Sequence, residues 1–440
     1  MNHTHPTRRT LLKAGAVAAP FGFPATRSLA EVMAPASSDK LNVACIGCGG
    51  KGYSDINDLA GEHIVGLCDV DSDRAAGTFG NHPRVPKFKD YRRMLEKLDK
   101  QIDAVTISTP DHTHYPAAMM AIEMGKHVFL QKPMAHTIWE VRKLMEAAKR
   151  NNVVTQMGIQ GHSFDGTRRL KEWLTAGAIG PVREIHYWTN RPIWPQGIAT
   201  PTGTSPVPET LDWNLWLGTA PKRAYNPAYV PFKWRGWWDY GCGALGDIGC
   251  HAMDAAFWAL DLGAPVSVAA ESSWQSADSA PARSKVTYEF PANENRPAIK
   301  VLWYDGGHKP ERPDELEATR ELDQEIGGQL LYGDKGVIMA DTYCRSPRII
   351  PETKMREFIP NAPPKSIPGS PGHMQEFLMA CKGEGTPGAN FDYSGPLTEM
   401  VLLGNLAVRT GKRLEWDSAS MRVTNNEDAN QYLTKTYRKF

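Results

Sequence analysis

The chain has 440 residues, 41% of them hydrophobic and 22% charged, with a formal net charge of +1. That length accommodates two domains, each with its own core. A balanced charge gives no electrostatic case for nucleic acid or for an anionic membrane surface, so both are set aside as partners.

Residues 1–30 read as a targeting segment. Thr7-Arg8-Arg9-Thr10-Leu11-Leu12-Lys13 precedes the mild apolar run Ala14 to Ala19, and Ser28-Leu29-Ala30 offers a cleavage site. This resembles a twin-arginine export signal, which carries proteins already folded. The expectation is a periplasmic protein. No later stretch of eighteen or more uncharged apolar residues follows, so no membrane insertion is expected once the signal is removed.

Residues 31–160 read as a nucleotide-binding domain. The apolar strand Val43-Ala44-Cys45-Ile46 runs directly into Gly47-Cys48-Gly49-Gly50-Lys51-Gly52, a G-x-G-x-x-G pattern, and a second apolar run from Ile64 to Cys68 ends in Asp69. That layout predicts an adenine dinucleotide site. Gly47 permits the tight turn, Gly49 and Gly50 let backbone N–H groups approach a pyrophosphate, and Gly52 lets the next helix pack close to the strand. Asp69 can accept hydrogen bonds from both ribose hydroxyls and would repel a 2′-phosphate, so NAD is expected rather than NADP. Cys45 and Cys48 form C-x-x-C across this strand and turn, but with no second pair they read as small core residues, not as a redox or zinc site.

Strand-like and helix-like segments then alternate, as a parallel sheet covered on both faces requires. Asp103 to Ser108 is a buried strand, Pro116 to Gly125 a helix with Gly125 at its end, and His127 to Leu130 a further strand. Thr137 and Glu140 form a capping box for a helix reaching about Arg150, and Val153 to Gln156 is the next strand. Two strand ends carry polar groups. One is Ser108-Thr109-Pro110-Asp111-His112-Thr113-His114 and the other Gln131-Lys132-Pro133. Ligands of open α/β sheets bind at strand C-termini, so these loops should border one crevice. Thr109, Pro110, His114, Gln131 and Lys132 are expected at the cofactor, and Lys132 can aim its ammonium at the reacting centre.

Residues 161–440 read as a second, α/β domain that would carry the substrate contacts. Pro195 to Pro231 is a long ordered loop rich in Pro, Gly, Thr and Trp. Trp237 and Trp238 are expected to contact substrate, since indole faces stack on the C–H faces of sugars. Gly241 to His251 leads into a helical run from Ala252 to Leu260, with Asp247 and His251 four apart on one face. An acid beside a histidine can orient the imidazole and raise its basicity. His112, His114, Asp247 and His251 fix no metal geometry, and no metal is expected. A Cys242–Cys250 disulfide is left open. Val182 to Thr189, Val266 to Ser273, Ser284 to Phe290 and Ala298 to Tyr304 alternate apolar and polar residues, as in a mostly antiparallel sheet. Gln329 to Tyr332 and Gly336 to Ala340 read as a hairpin, Lys309 to Glu325 as a charged surface excursion, and Met374 to Cys381 and Leu397 to Thr410 as helices.

Together the G-x-G-x-x-G run, Thr109-Pro110-Asp111-His112-Thr113-His114, Gln131-Lys132-Pro133, Gly246-Asp247-Ile248-Gly249-Cys250-His251, His373 to Phe377 and Leu402-Leu403-Gly404-Asn405 resemble the glucose–fructose oxidoreductase / inositol dehydrogenase / rhizopine-catabolism family, over nearly everything after about Lys40. The resemblance implies a Rossmann domain followed by an α/β domain whose large open sheet often makes an oligomer interface, hence a homodimer or homotetramer. It implies that Lys132 matches the lysine of the E-K-P motif and hydrogen-bonds the reacting hydroxyl. His251 would take the proton, and Asp247 would orient substrate or histidine. One departure stands out, because Gln131 replaces the usual glutamate and brings no negative charge.

The function expected is oxidation of a secondary hydroxyl of a sugar or glycoside by NAD, with the cofactor held tightly and recycled, since an exported protein has no pool of free nucleotide. One alternative is glycoside hydrolysis by transient oxidation and elimination, with His162 or Tyr240 as the extra base against the sugar. Another is a nucleotide-binding sensor without chemistry.

Overall fold

The computed structural model describes residues 40–274, 276–322 and 325–440; the expected targeting segment lies outside them. The first sheet has six parallel strands: β1 (Asn42–Ile46), β2 (His63–Cys68), β3 (Lys87–Phe88), β4 (Ala104–Ile107), β5 (His127–Leu130) and β6 (Thr155–Met157), in the order β3-β2-β1-β4-β5-β6. Their interiors are continuous apolar runs, with Val43, Ala44, Val105, Ile107, Val128 and Leu130 fully buried, because helices cover both faces. The order reverses between β1 and β4, which opens a crevice at their C-terminal ends.

Three helices set the edges of that crevice: α1 (Lys51–Asn57), α2 (His114–Glu123) and α3 (Ile138–Asn151). The start of α3 is the expected capping box, since Thr137 Oγ1 accepts the Glu140 N–H at 3.3 Å and the Glu140 carboxylate accepts the Thr137 N–H at 3.0 Å. The strand expected at Val153 to Gln156 is shifted to Thr155–Met157, after Asn152 ends α3 in the left-handed region.

The second sheet has nine strands, β7 (Val182–Thr189), β8 (Ser267–Ser272), β9 (Ser284–Phe290), β10 (Ile299–Tyr304), β11 (Gly327–Gly333), β12 (Gly336–Asp341), β13 (Arg348–Ile350), β14 (Leu414–Asp417) and β15 (Arg422–Val423). Their order is β13-β12-β11-β7-β10-β9-β8-β14-β15, and every pair is antiparallel except β7 with β10. The expected mostly antiparallel open sheet and its β11–β12 hairpin are therefore present.

Two helices begin earlier than their composition suggests. The helix expected from Ala252 is α4 (Gly243–Ala259), which takes in Asp247 and His251. Its glycines are there for contact: a Cβ on Gly249 would meet Val401 at 3.1 Å, on the neighbouring helix α5 (Phe391–Thr410). Close packing overrides the low helix propensity of glycine. Helix α5 starts six residues before the expected Leu397; Asn390 caps it and Pro396 lies inside it. From there α5 returns to the first sheet. Arg142 of α3 pairs with Glu399 at 2.6 Å, and the Met157 N–H donates to the Ala389 carbonyl.

All seven cysteines are free. Burial pushes the Cys45 thiol up to about 12, as befits a core residue. The bridge left open between Cys242 and Cys250 is excluded: eight residues along a helix separate them by ~12 Å. No helix among the described residues is long and apolar enough to cross a membrane.

Candidate active site

The crevice at the strand ends encloses about 570 Å³ and is lined by both halves of the molecule. Its floor is the glycine turn after β1. Gly47 has φ +83°, and a Cβ there would lie 2.5 Å from the Ser108 carbonyl oxygen. Gly52 lets α1 approach the turn so closely that a Cβ would lie 2.0 Å from the Gly47 oxygen. Gly47, Gly49 and Gly50 line the crevice, while Gly52 sits behind it as a packing contact. No side chain caps the first turn of α1.

Asp69 stands at the end of β2 with its carboxylate already oriented: Oδ2 accepts the Cys48 N–H at 2.7 Å and Oδ1 the Asp71 N–H at 2.9 Å. Each oxygen keeps lone pairs for ribose hydroxyls. Burial raises its pKa, and the backbone hydrogen bonds work against that rise. The cradle that side chains would fill, together with the oriented acid at its edge, fits an adenine dinucleotide.

Across the crevice, Lys132 leaves β5 and meets α4. Its Nζ donates to the Asp247 carbonyl at 2.6 Å and to Asp247 Oδ1 at 2.9 Å. Arg235 Nε donates to the same Oδ1 at 2.9 Å. Burial pushes the Asp247 carboxyl up, but these two cations outweigh it and hold the group well below the usual carboxylate range. One turn further along α4, His251 lines the crevice. Its Nδ1 is enclosed without a hydrogen-bond partner, so Nε2 is the nitrogen left to reach a ligand. Burial, then the Lys132 charge, hold its pKa well below the ordinary value, so the imidazole is neutral.

Sequence reasoning gave no role to four residues that the structure brings here. Asp111, buried beside Lys132 and Arg235, accepts the Cys242 N–H at 3.1 Å; burial raises its carboxyl to about 7. Tyr343, from the loop after β12, lies with its ring 5.0 Å from that of His251. Arg235 holds Asp247 as described. Asp55, on α1 and 1% exposed, accepts from Gln131 Nε2 at 2.9 Å, from Ser108 Oγ at 2.7 Å and from Lys51. The negative charge absent at Gln131 therefore stands one hydrogen bond behind it, on a different element. Only long-range contacts reveal this, and no local pattern could have.

Thr109, Pro110 and Gln131 line the crevice as expected. His114 does not. It is buried with its ring nitrogens 2.7 and 2.9 Å from the Pro133 and Thr109 carbonyls, so it ties the two loops together behind the site. The four residues expected against substrate lie elsewhere. His162 is buried, with Nδ1 2.8 Å from Asp254 Oδ1, an oxygen that also accepts from the Tyr393 hydroxyl. Trp237 donates to the Ala228 carbonyl inside an aromatic cluster that also encloses Tyr240. Trp238 lies under the Arg409 guanidinium and lines a separate cavity of about 280 Å³. The aromatic enrichment of this region builds a core, and the tryptophans that reach the crevice are Trp216 and Trp234.

Comparison with known proteins agrees with this architecture. Residues 41–159 match the model of the Gfo/Idh/MocA oxidoreductase family, NAD-binding Rossmann fold, and residues 190–295 the C-terminal α/β domain of the same family. An inositol 2-dehydrogenase of Salmonella paratyphi B is 27% identical over 132 residues, 30% of this chain and 39% of that protein. A D-glucoside 3-dehydrogenase of Escherichia coli is 27% identical over 243 residues, 54% of this chain and 58% of that protein. Among solved structures, the WlbA dehydrogenase of Bordetella pertussis with NADH and UDP-GlcNAcA superposes with a TM-score of 0.59 at 16% identity, covering 86% of this chain and 99% of that one. An inositol dehydrogenase homologue from Azotobacter vinelandii with NADH and myo-inositol gives 0.57 at 15% identity, with 86% and 98% covered.

Proposed function

Because the chain belongs to the Gfo/Idh/MocA oxidoreductase family, whose cofactor is NAD, we propose that it oxidises one secondary hydroxyl of a sugar or glycoside to a ketone. The observation that carries this reading is the meeting of Lys132 Nζ with Asp247 at 2.9 Å, one helical turn from His251 and beside the glycine cradle. Bound NAD supplies a hydride acceptor at its nicotinamide ring.

The chain's own residues supply the rest. Two of the three Lys132 N–H groups are taken by Asp247, which leaves one for the reacting hydroxyl. An ammonium fixed in this way stabilises the negative charge that grows on that oxygen as its proton leaves. The neutral His251 imidazole receives the proton. Asp247 Oδ2 can accept from a neighbouring hydroxyl, because Oδ1 is occupied by Lys132 and Arg235. Asp69 supports NAD over NADP, as its carboxylate would repel a 2′-phosphate.

The proposal includes export by the twin-arginine route, resting on Arg8-Arg9, and retention of the cofactor through successive turnovers, with a carbonyl compound accepting the hydride in a second half-reaction at the same site. Assembly as a homo-oligomer rests on the family resemblance. The test is the absorbance of reduced nicotinamide in the purified protein as a panel of sugars and glycosides is added without external NAD. A spectral change with one of them supports both the reaction and the retained cofactor. No change, even with NAD supplied, overturns the reading. Accumulation of a ketone product separates this reaction from redox-neutral hydrolysis, which releases the free aglycone and an unoxidised sugar.

A further inference from the structure

Beside the Arg235–Asp247 pair the crevice carries an apolar lip. Phe232 and Ile193 line it at 40% and 63% exposure, with Val230, Pro231 and Ile326 beside them. Large apolar side chains left this open inside a catalytic crevice call for an occupant, since each loses the stabilisation that burial would give. The lip is joined directly to the reacting groups. The Phe232 ring lies on the Arg235 guanidinium at 4.3 Å, and Arg235 Nε holds Asp247 Oδ1 at 2.9 Å. Trp234 covers the same guanidinium at 4.3 Å, and Trp194 abuts Phe232 edge-on at 5.8 Å. The lip is thus backed by rigid aromatics and begins one guanidinium away from the site of oxidation.

A free sugar or cyclitol carries hydroxyls around its whole ring, so it can set one C–H face on Phe232 but cannot also cover the aliphatic Ile193 without burying hydroxyls. A glycoside with an apolar aglycone matches it: the sugar meets Lys132, Asp247 and His251 while the aglycone covers Phe232 and Ile193. We propose that the substrate is a glycoside with an aryl or comparably apolar aglycone, and that Phe232 and Ile193 form the aglycone subsite. This inference rests on the hydroxyl-oxidation reading above. A protein partner fits less well, because two exposed side chains inside a crevice fall far short of the ~800 Å² per partner of a stable interface.

The test compares kcat/KM for matched phenyl and methyl glucosides and galactosides on the full NAD-loaded chain. The phenyl member is expected to be favoured about tenfold or more, the usual range for filling an apolar subsite. In Phe232→Ala, and further in the double variant with Ile193→Ala, the phenyl-to-methyl ratio should fall toward one, mainly through KM. Phe232→Leu, which keeps an apolar side chain, should hold an intermediate ratio. Equal efficiency in the parent chain, or a ratio that the double variant leaves intact, overturns the inference while the oxidation reading stands. Turnover of neither member of any pair, while a free sugar or cyclitol of the panel is oxidised, overturns the inference and leaves the oxidation reading; oxidation of no member of the panel overturns both.

Discussion

Gln131→Glu restores the residue usual in this family, yet it should damage this protein. Asp55 Oδ2 accepts from Gln131 Nε2 at 2.9 Å, in a site where Asp55 is almost completely enclosed. A glutamate would set a carboxylate oxygen at that distance. Two unit charges there repel by about 6 kcal/mol at an effective dielectric constant of 20. The pair can escape by keeping one proton. Holding a proton on a carboxyl of ordinary pKa near 4.3 costs about 1.4 kcal/mol per pH unit above it, hence about 4 kcal/mol at pH 7. The smaller cost prevails, so Gln131→Glu should lose ~4 kcal/mol of stability at pH 7. The sign of the pH dependence follows. The folded-state pKa of the new acid is raised, so stability is intact below its unfolded pKa and is lost as pH rises. Urea unfolding between pH 4 and 8 reads this directly, with the two proteins converging near pH 4. Adding Asp55→Asn to Gln131→Glu returns a donor to the pair and should recover most of the loss. A Gln131→Glu protein as stable as the parent at pH 8, a pH-independent loss, or a double variant no better than the single would refute the pairing.

Lys132→Met should leave NAD affinity within about threefold by calorimetry, because the cradle and Asp69 are untouched, while turnover falls by about a thousandfold, the scale of losing one fixed donor to a developing oxyanion. Activity within tenfold of the parent would remove Lys132 from the chemistry. Gly52→Ala forces a Cβ to within 2.0 Å of the Gly47 oxygen, so α1 must move off the turn; NAD binding should be lost and the melting temperature lowered. Asp111→Asn tests the buried carboxyl raised to about 7. Its ionisation costs the folded state stability as pH rises from 3.8 toward 7, so the asparagine variant should be more stable at pH 8 by on the order of 4 kcal/mol, with the gain vanishing below pH 4. A gain that does not change with pH would point to packing instead.

What the sequence revealed was local. The glycine turn, Asp69, the Thr137 capping box and the β11–β12 hairpin each depend on residues within a short span, so spacing alone identifies them. Lys132 and the Asp247–His251 pair were recognisable as motifs, but their meeting spans 115 residues and no spacing predicts it. Asp55 is adjacent to Gln131 only because α1 packs over the end of β5, and Phe440 reaches the crevice through a hydrogen bond from Arg92 across 348 residues. Where one signal has two physical causes, sequence chose wrongly. Glycines at 243, 246 and 249 looked like a loop but lie in α4, where a Cβ would press on Ala280 at 243, on Cys242 at 246 and on Val401 of α5 at 249. Trp237, Trp238 and Tyr240 looked like a sugar platform but form core, since aromatic density marks a core as readily as a ligand surface.

The electrostatics of the crevice assign roles more sharply than the residue types do. Three titratable groups near Lys132 are driven in different directions. Asp247, bonded to Lys132 and Arg235, is held ionised. Asp111, enclosed and bonded to Cys242, is pushed by burial toward neutrality at physiological pH. His251 is held neutral by burial and by the lysine charge. Environments that separate pKa values in this way divide the work of acid, base and fixed charge. Asp247 can anchor and orient but is a poor proton acceptor, because its two cations would have to be left unpaired. His251 can accept a proton, and the imidazolium so formed gains from the Asp247 charge one turn away. Asp111 changes charge within the working range, so protonation there alters the field at Lys132 without breaking the Lys132–Asp247 bond. A hydroxyl entering between Lys132 and His251 therefore meets a donor that cannot easily lose its partner and a base that is free to take its proton.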